Sequence, residues 1–146
     1  MPVNSKSYLM MPAIKPLLAP KVLLGLSLVY TLILTWVSVV EKDSLPSVSL
    51  FPMQDKLAHF LAYLVLSILW GGFWLRRQKL SFWFPYLVVL LIAALIYGTI
   101  IEVLQGQITQ SRSADVYDIL ANCLGMLVGS SLIFYIFDKL RLNSKV

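Results

Sequence analysis

The chain has 146 residues, of which 59% are hydrophobic and only 13% are charged, whereas soluble domains carry about 25% charged residues. This composition excludes an ordinary water-soluble domain and predicts a single small unit dissolved in a lipid bilayer. The net charge of +5 does not indicate nucleic-acid binding, because the basic residues are dispersed near the ends of apolar runs. The lone cysteine, Cys123, excludes an internal disulfide and is expected to be a small buried hydrophobe.

Four apolar runs follow a polar N-terminal segment, and each is long enough to cross a hydrocarbon core of about 30 Å. The first is long for the hydrophobic part of a signal peptide and has no small-x-small site after it, so we expect an anchor. We therefore predict an all-α, polytopic membrane protein with four transmembrane helices in a compact bundle. The predicted parts are an N-terminal segment at 1–21, a transmembrane domain at 22–137 with spans at 22–40, 57–75, 82–104 and 116–137, and a tail at 138–146.

The distribution of basic residues predicts the orientation of the bundle. With four spans, both termini and the 76–81 turn share one side of the membrane, and this side holds nine Lys and Arg residues. The loops at 41–56 and 105–115 hold three. Because cytoplasmic loops carry the excess of Lys and Arg, we predict that the N-terminal segment and the tail are both cytoplasmic.

Unusual polar residues gather at the extracytoplasmic ends of three predicted spans. Asp55 begins the second span, Glu102 ends the third, and Asp115, Asp118 and Asn122 share one face of the fourth at i, i+3 and i+7. Because unpaired ionisable groups are disfavoured in a membrane, we expect these side chains to meet in one pocket. The predicted binding residues are Asp55, Lys56, His59, Tyr63, Glu102, Gln105, Arg112, Asp115, Asp118 and Asn122.

Small residues predict where the helices approach closely, since they let another backbone come near. On the fourth span they lie on the face that carries Asp118 and Asn122. On the third span they lie on the face of Glu102, toward the middle of the membrane. The predicted packing positions are Gly98, Ala121, Gly125 and Gly129.

A purely structural role competes with a binding role for several of these residues. Asp55 and Asp115 lie at predicted helix starts, where free N–H groups and the helix dipole stabilise a carboxylate. Glu102 lies at a helix C-terminus, where the dipole disfavours an anion, and Asp118 lies too deep for capping. A structural ion-pair network joining Glu102, Asp118 and Arg112 is therefore an alternative to a functional site.

His59 is a candidate for proton transfer, because the unperturbed imidazole titrates near neutral pH. Asp55 and His59, at i and i+4 with a third acid nearby, also suggest a divalent-metal site. The chain has a single histidine and neither a thiolate pair nor an HExxH motif, so we predict no metal and no cofactor. The candidate catalytic residues are His59, Glu102 and Asp118.

Three ordered motifs at the outer ends of the spans resemble the VanZ-like family of small bacterial membrane proteins, over roughly residues 30–137. The resemblance implies a multi-pass protein of the bacterial cytoplasmic (inner) membrane. The family is named for a member linked to low-level teicoplanin resistance, so a link to an envelope or glycopeptide-antibiotic response is an expectation only. The motifs are Asp55-Lys56-x-x-His59-Phe60-x-x-Tyr63, Glu102-x-x-Gln105, and Arg112-Ser113-x-Asp115-x-x-Asp118-x-x-x-Asn122-x-x-Gly125-x-x-x-Gly129.

Three functions stay open at this point. The first is a pocket that binds an anionic or glycosylated cell-envelope component, such as a lipid headgroup, with Arg112 and Lys56 engaging phosphate or carboxylate. The second is an enzyme that acts on a lipid-linked envelope substrate by acid–base chemistry through His59 or Glu102. The third is a structural or accessory subunit. The expected partners are the lipid bilayer and a lipid headgroup or glycolipid, and the sequence leaves the oligomeric state open.

Overall fold

The computed structural model describes residues 19–40, 53–77, 83–108 and 115–143. These residues form α1 (Pro20–Val39), α2 (Gln54–Arg77), α3 (Trp83–Ile108) and α4 (Val116–Asn143), with no strand among them. All four helices are long and apolar enough to cross a membrane. The prediction of an all-α protein with four transmembrane helices is therefore confirmed.

The helices are longer than the predicted spans at several ends. Helix α2 begins at Gln54 rather than at residue 57, and α4 continues to Asn143 rather than ending at 137. Hydropathy marks only the part of a helix that suits hydrocarbon, whereas backbone hydrogen bonding continues into polar residues. As a result, Asp55 and Lys56 lie in the first turn of α2 rather than in a loop.

Large apolar side chains cover the outside of the bundle. Leu32, Val89 and Phe84 are 69%, 63% and 70% exposed, which is costly in water but suits contact with lipid tails. Beside its apolar core, the interior contains hydroxyl-bearing residues, and Ser27, Ser67 and Ser130 are completely buried. An apolar exterior with hydroxyl groups turned inward is typical of a helical membrane protein.

Helices α2 and α4 form the most extensive interface of the bundle. A Cβ added at Gly125 would collide with the backbone carbonyl oxygen of Phe60, and one at Gly129 would collide with the carbonyl oxygen of Leu64 and the hydroxyl of Ser67. The absence of a side chain at both glycines therefore lets the backbones of α2 and α4 touch.

Helices α1 and α3 flank this central pair. Helix α1 lies mainly against α2, α3 lies mainly against α4, and α1 meets α3 over a narrow contact. Three side-chain hydrogen bonds join α1 to its neighbours. The Tyr30 hydroxyl donates to the carbonyl oxygen of Ala62 at 3.0 Å. Trp70 Nε1 donates to Thr31 Oγ1 at 3.2 Å, and the hydroxyls of Thr35 and Tyr97 lie 2.7 Å apart. The order around the bundle is therefore α1, α2, α4, α3.

Candidate functional site

Polar side chains meet at the end of the bundle where α2 and α4 begin and α3 ends. We call this group the polar site, and it contains the described side chains of Asp55, Lys56, His59, Tyr63, Glu102, Asp115, Asp118 and Asn122.

Asp115 precedes α4 and caps its N-terminus. Its Oδ1 accepts a hydrogen bond from the backbone N–H of Tyr117 at 2.9 Å, and its carbonyl oxygen accepts from the N–H of Asp118 at 3.0 Å. These contacts satisfy N–H groups that a helix start leaves free. Asp115 therefore has a structural role whether or not it also contacts a ligand.

Lys56 of α2 joins both aspartates of the α4 N-terminus. Its ammonium donates to Asp118 Oδ1 at 2.8 Å and to Asp115 Oδ2. The hydrogen bond from Lys56, aided by that from the backbone of Tyr117, holds the pKa of the Asp115 carboxyl below its ordinary value. Asp118 is only 6% exposed, so Lys56 provides the counter-charge that a carboxylate at this depth needs.

His59 lies one turn deeper, and each of its ring nitrogens faces a polar group of α4. Its Nδ1 is 3.2 Å from Asn122 Oδ1, and its Nε2 is 3.7 Å from Asp118 Oδ2. Because an amide oxygen only accepts hydrogen bonds, the first contact puts a proton on Nδ1. The second distance is too long for a hydrogen bond, so Nε2 faces a carboxylate across a short gap.

Glu102 lies on the buried face of α3 and is 3% exposed. Its Oε2 accepts a hydrogen bond from the backbone N–H of Asp115 at 3.2 Å. The sequence predicted that the dipole of its own helix disfavours an anion here, but α3 continues six residues past Glu102 to Ile108, so Glu102 lies outside the last turn in which that effect acts. The N-terminus of α4 presents free N–H groups and a positive dipole end, and it stabilises the carboxylate.

Tyr63 and Asn122 close the inner side of the polar site against α3. A Cβ added at Gly98 would lie 3.1 Å from Asn122 Nδ2 and 3.4 Å from the Tyr63 hydroxyl. Tyr63 is buried, and its ring centre is 6.1 Å from that of Tyr97. Gly98 thus gives the two polar side chains space, and the tyrosine pair lies where the polar site borders the apolar interior.

Asp55, His59 and Asp118 each place one potential ligand atom so that all three atoms lie within 4.8 Å of one another. This spacing suits a divalent cation bound by oxygen and imidazole ligands. Lys56, however, already occupies one oxygen of Asp118, and its positive charge opposes a cation in that position. The expectation of no metal stays a prediction.

Two predicted binding residues are not placed. Arg112 lies in the segment 109–114, outside the described residues, and for Gln105 the structure describes the helical backbone but not the side chain. The polar site, as far as it is described, holds four carboxylates, one ammonium and one imidazole.

Sequence reasoning did not predict the pairing of Lys56 with Asp115 and Asp118. It expected Lys56 and Arg112 to engage the ligand and named only Arg112 as a cation in the alternative ion-pair network. A weak signal was available, since Lys56 lies next to Asp55 at a helix start and three residues before His59.

A family model described as VanZ/LLP1 matches residues 17–138 of the chain. That range contains α1, α2, α3 and α4 up to its last turns, and with them every residue of the polar site. Comparison with curated proteins and with solved structures finds no match.

Proposed function

This chain belongs to the VanZ/LLP1 family, as the three motifs predicted, and from that premise we propose that it binds the headgroup of a cell-envelope lipid in the polar site. The chain is a multi-pass membrane protein, so lipids surround it on every side. The cytoplasmic membrane of a bacterium is the proposed location.

The observation that carries this proposal is the convergence of different elements on one buried carboxylate. Asp118 of α4 meets Lys56 and His59 of α2, His59 meets Asn122, and Glu102 of α3 joins the same layer through Asp115. Carboxylates and amides at the end of a membrane-spanning bundle lie near the depth of lipid headgroups. The site is therefore in position to contact a headgroup without drawing it out of the bilayer.

The charge balance favours a headgroup rich in hydroxyl groups. Lys56 is occupied by two carboxylates, which leaves the described part of the site with an excess of hydrogen-bond acceptors. Sugar or glycerol hydroxyls donate well to ionised carboxylates. Arg112 would supply a planar cation if the headgroup also carries a phosphate. A glycosylated or polyol lipid fits these groups better than one whose headgroup lacks hydroxyls.

A lipid-binding assay with matched variants tests the proposal. The purified protein is titrated with glycosyl diacylglycerol, phosphatidylglycerol or phosphatidylcholine of identical chains, and the midpoint of thermal unfolding is followed. A specific ligand raises the midpoint with concentration, because it binds only the folded state. We expect glycosyl diacylglycerol and phosphatidylglycerol to raise the midpoint of the wild type. Asp118→Asn should lose this response, whereas Asp138→Asn, the same substitution at the far end of α4, should keep it.

The proposal fails if phosphatidylcholine raises the midpoint as much as the hydroxyl-bearing lipids do. It also fails if Asp118→Asn keeps the full response while remaining folded.

A second candidate function, an acid–base enzyme acting on a lipid-linked substrate, is favoured by the setting of His59. Asn122 orients the imidazole through Nδ1, so Nε2 is left to exchange a proton, as a positioned general base requires. None of the described hydrogen bonds joins a serine, threonine or cysteine to His59, and for this candidate we propose water or the substrate as the nucleophile. Turnover of a lipid-linked substrate that disappears in His59→Gln would establish it over simple binding.

The purely structural alternative is supported by the contacts of Lys56, Asp115 and Glu102, which tie α2 and α3 to the start of α4. It predicts that substitutions in the polar site change stability alone. The lipid titration separates the two, because a structural network gives no lipid-dependent rise that Asp118→Asn removes.

A further inference from the structure

An apolar cavity of about 300 Å³ is lined by α1, α2 and α3 and by Met126 of α4. The α3 wall is one helix face that includes Tyr86, Leu90, Ala94 and Tyr97, and the opposite wall includes Trp70. Val89 and Ala93 also line the cavity and are exposed on the outside of the bundle. The cavity is therefore open sideways, toward the space that lipid tails occupy.

The length of the cavity matches a lipid tail. Tyr86 and Tyr97 are eleven residues apart on α3, which corresponds to about 16 Å along a helix. Tyr97 lies five residues from Glu102, so the cavity runs from about 8 Å to about 24 Å below the level of Glu102, a depth that only a long acyl chain reaches. The ring of Tyr86 stacks on Trp74 with 4.8 Å between ring centres and closes one end. An extended acyl chain in the cavity would lie along the α3 wall, parallel to the helices.

Water does not suit this cavity. A buried water needs two to four polar partners, but the Trp70 N–H and the Tyr97 hydroxyl are already bonded to Thr31 and Thr35 of α1. The Tyr86 hydroxyl has no partner among the described residues and is itself buried, so at most one polar group is free. An unfilled space forfeits packing contacts on all its walls, so hydrocarbon is the suitable filling.

The cavity and the polar site share a wall. Tyr97 lines the cavity, and its ring packs against that of Tyr63, whose hydroxyl lies beside Gly98 and Asn122 in the polar site. We propose that the cavity binds an acyl chain of the same lipid whose headgroup occupies the polar site. This inference rests on the proposed function and narrows the ligand to an amphiphile with at least one long chain.

Trp70 provides a reporter for the bound chain. Trp36, Trp74 and Trp83 are replaced by Phe, which keeps an aromatic ring in each stack and leaves Trp70 as the sole tryptophan. The protein is placed in phosphatidylcholine vesicles that contain a minor fraction of either brominated glycosyl diacylglycerol or brominated phosphatidylcholine. Bromine quenches tryptophan fluorescence on contact, so the difference between the two probes reports selective occupancy of the cavity.

We expect the brominated glycolipid to quench Trp70 several-fold more than brominated phosphatidylcholine at the same fraction. Ala93→Phe, which fills the cavity, should remove that excess, and Asp118→Asn should remove it as well. Ala58→Phe is the matched control, since Ala58 is exposed at the start of α2 and does not line the cavity. It should leave the excess unchanged.

Equal quenching by both probes would overturn the inference, because any membrane lipid would then fill the cavity. Persistence of the excess in Asp118→Asn would overturn it too, since headgroup and chain would belong to different molecules. If the glycolipid still raises the unfolding midpoint but gives no excess quenching, the inference fails while the proposed function stands. If the glycolipid gives no rise of the midpoint in the first place, the proposed function itself fails.

Discussion

The carboxylate of Glu102 in α3 accepts a hydrogen bond from the backbone N–H of Asp115 at 3.2 Å, and this contact joins the end of one membrane-spanning helix to the start of the next. A capping box makes a similar contact within a single helix, where a Glu reaches back to the N-cap N–H. Here the carboxylate comes from another helix, so it fixes the spacing of α3 and α4 as well as satisfying a helix end.

Two substitutions of Glu102 should distinguish how much its charge and its hydrogen bond each contribute to stability. Glu102→Gln keeps an acceptor but loses the interaction of an anion with the α4 dipole, so we expect a loss of about 0.3–1 kcal/mol. Glu102→Leu also leaves the Asp115 N–H unpaired, and we expect a loss of about 1–3 kcal/mol. Chemical unfolding in detergent measures both. Equal stability of Gln and Leu variants would show that the hydrogen bond contributes nothing.

Lys56 and Asp118 should be energetically coupled. Lys56→Met leaves a nearly buried carboxylate without its cation, and we expect a loss of about 1–3 kcal/mol. Adding Asp118→Asn should recover part of this loss, since groups in contact show coupling energies of about 0.5–3 kcal/mol. Lys139→Met is the control, because Lys139 lies on the exposed part of α4 over the ring of Tyr135. It should change stability by less than about 0.5 kcal/mol.

Stability of the bundle should fall in acid through Asp115. Its pKa is lowered in the folded protein by the hydrogen bond from Lys56, so the ionised carboxylate stabilises the fold above the unfolded pKa of about 3.9. That contribution is lost as the pH falls through the lower folded value. The thermal unfolding midpoint of the wild type should therefore decrease when the pH is lowered below about 4. The midpoint of Asp115→Asn should decrease less steeply over the same pH range. If the unfolding midpoints of the two proteins decrease equally with pH, Asp115 is not the source of the acid sensitivity.

The apolar runs and the three motifs were sufficient to predict four helices, their family and the end of the bundle where Asp55, Glu102 and Asp118 lie. Periodicity assigns a residue to a face of its own helix but does not determine the axial position of one helix relative to another. The axial position of α2 relative to α4 depends on where Gly125 and Gly129 contact the backbone around Phe60 and Leu64. For this reason the sequence did not predict the hydrogen bond from Lys56 to Asp115.

Glu102 shows the same limit in electrostatic terms. The sequence indicates that Glu102 lies near the end of its span, and this position suggested a functional residue. The dipole that stabilises its carboxylate belongs to α4, and only the packing of the two helices reveals it. The cavity beside Trp70 was likewise not predictable, because a void depends on which side chains fail to fill the space between α1 and α3.

The orientation of the bundle is a prediction that fusions decide. Reporter domains are attached after Lys145 and near Gln107, on opposite sides of the membrane in the four-helix arrangement. Because nine of the twelve Lys and Arg residues lie on the side of the termini, the fusion at Lys145 should be active only with a cytoplasmic reporter. The fusion near Gln107 should show the reverse. A periplasmic reporter active at Lys145 would place the polar site in the cytoplasm.

Gly125 tests the contact on which the polar site depends. A methyl group at this position would overlap the carbonyl oxygen of Phe60 and approach the backbone N of Leu64 within 3.0 Å. Backbone atoms inside a helix cannot move aside as a flexible side chain can, so Gly125→Ala should force α2 and α4 apart. Overpacking of this kind costs about 1–3 kcal/mol, and the separation should also weaken the hydrogen bond between Lys56 and Asp118.

The matched control is Gly25→Ala on α1. Nothing lies within 4 Å of a Cβ at Gly25, so the same substitution should be neutral or stabilising by up to about 1 kcal/mol, as Gly-to-Ala changes in helices are. Unfolding midpoints and folded yields in one detergent give the comparison, and the Lys56–Asp118 coupling energy is measured again in the Gly125→Ala background. If Gly125→Ala matches Gly25→Ala in stability, the α2 and α4 backbones are not in contact there. If only the coupling energy falls, the glycine contact acts chiefly by holding the polar site in register.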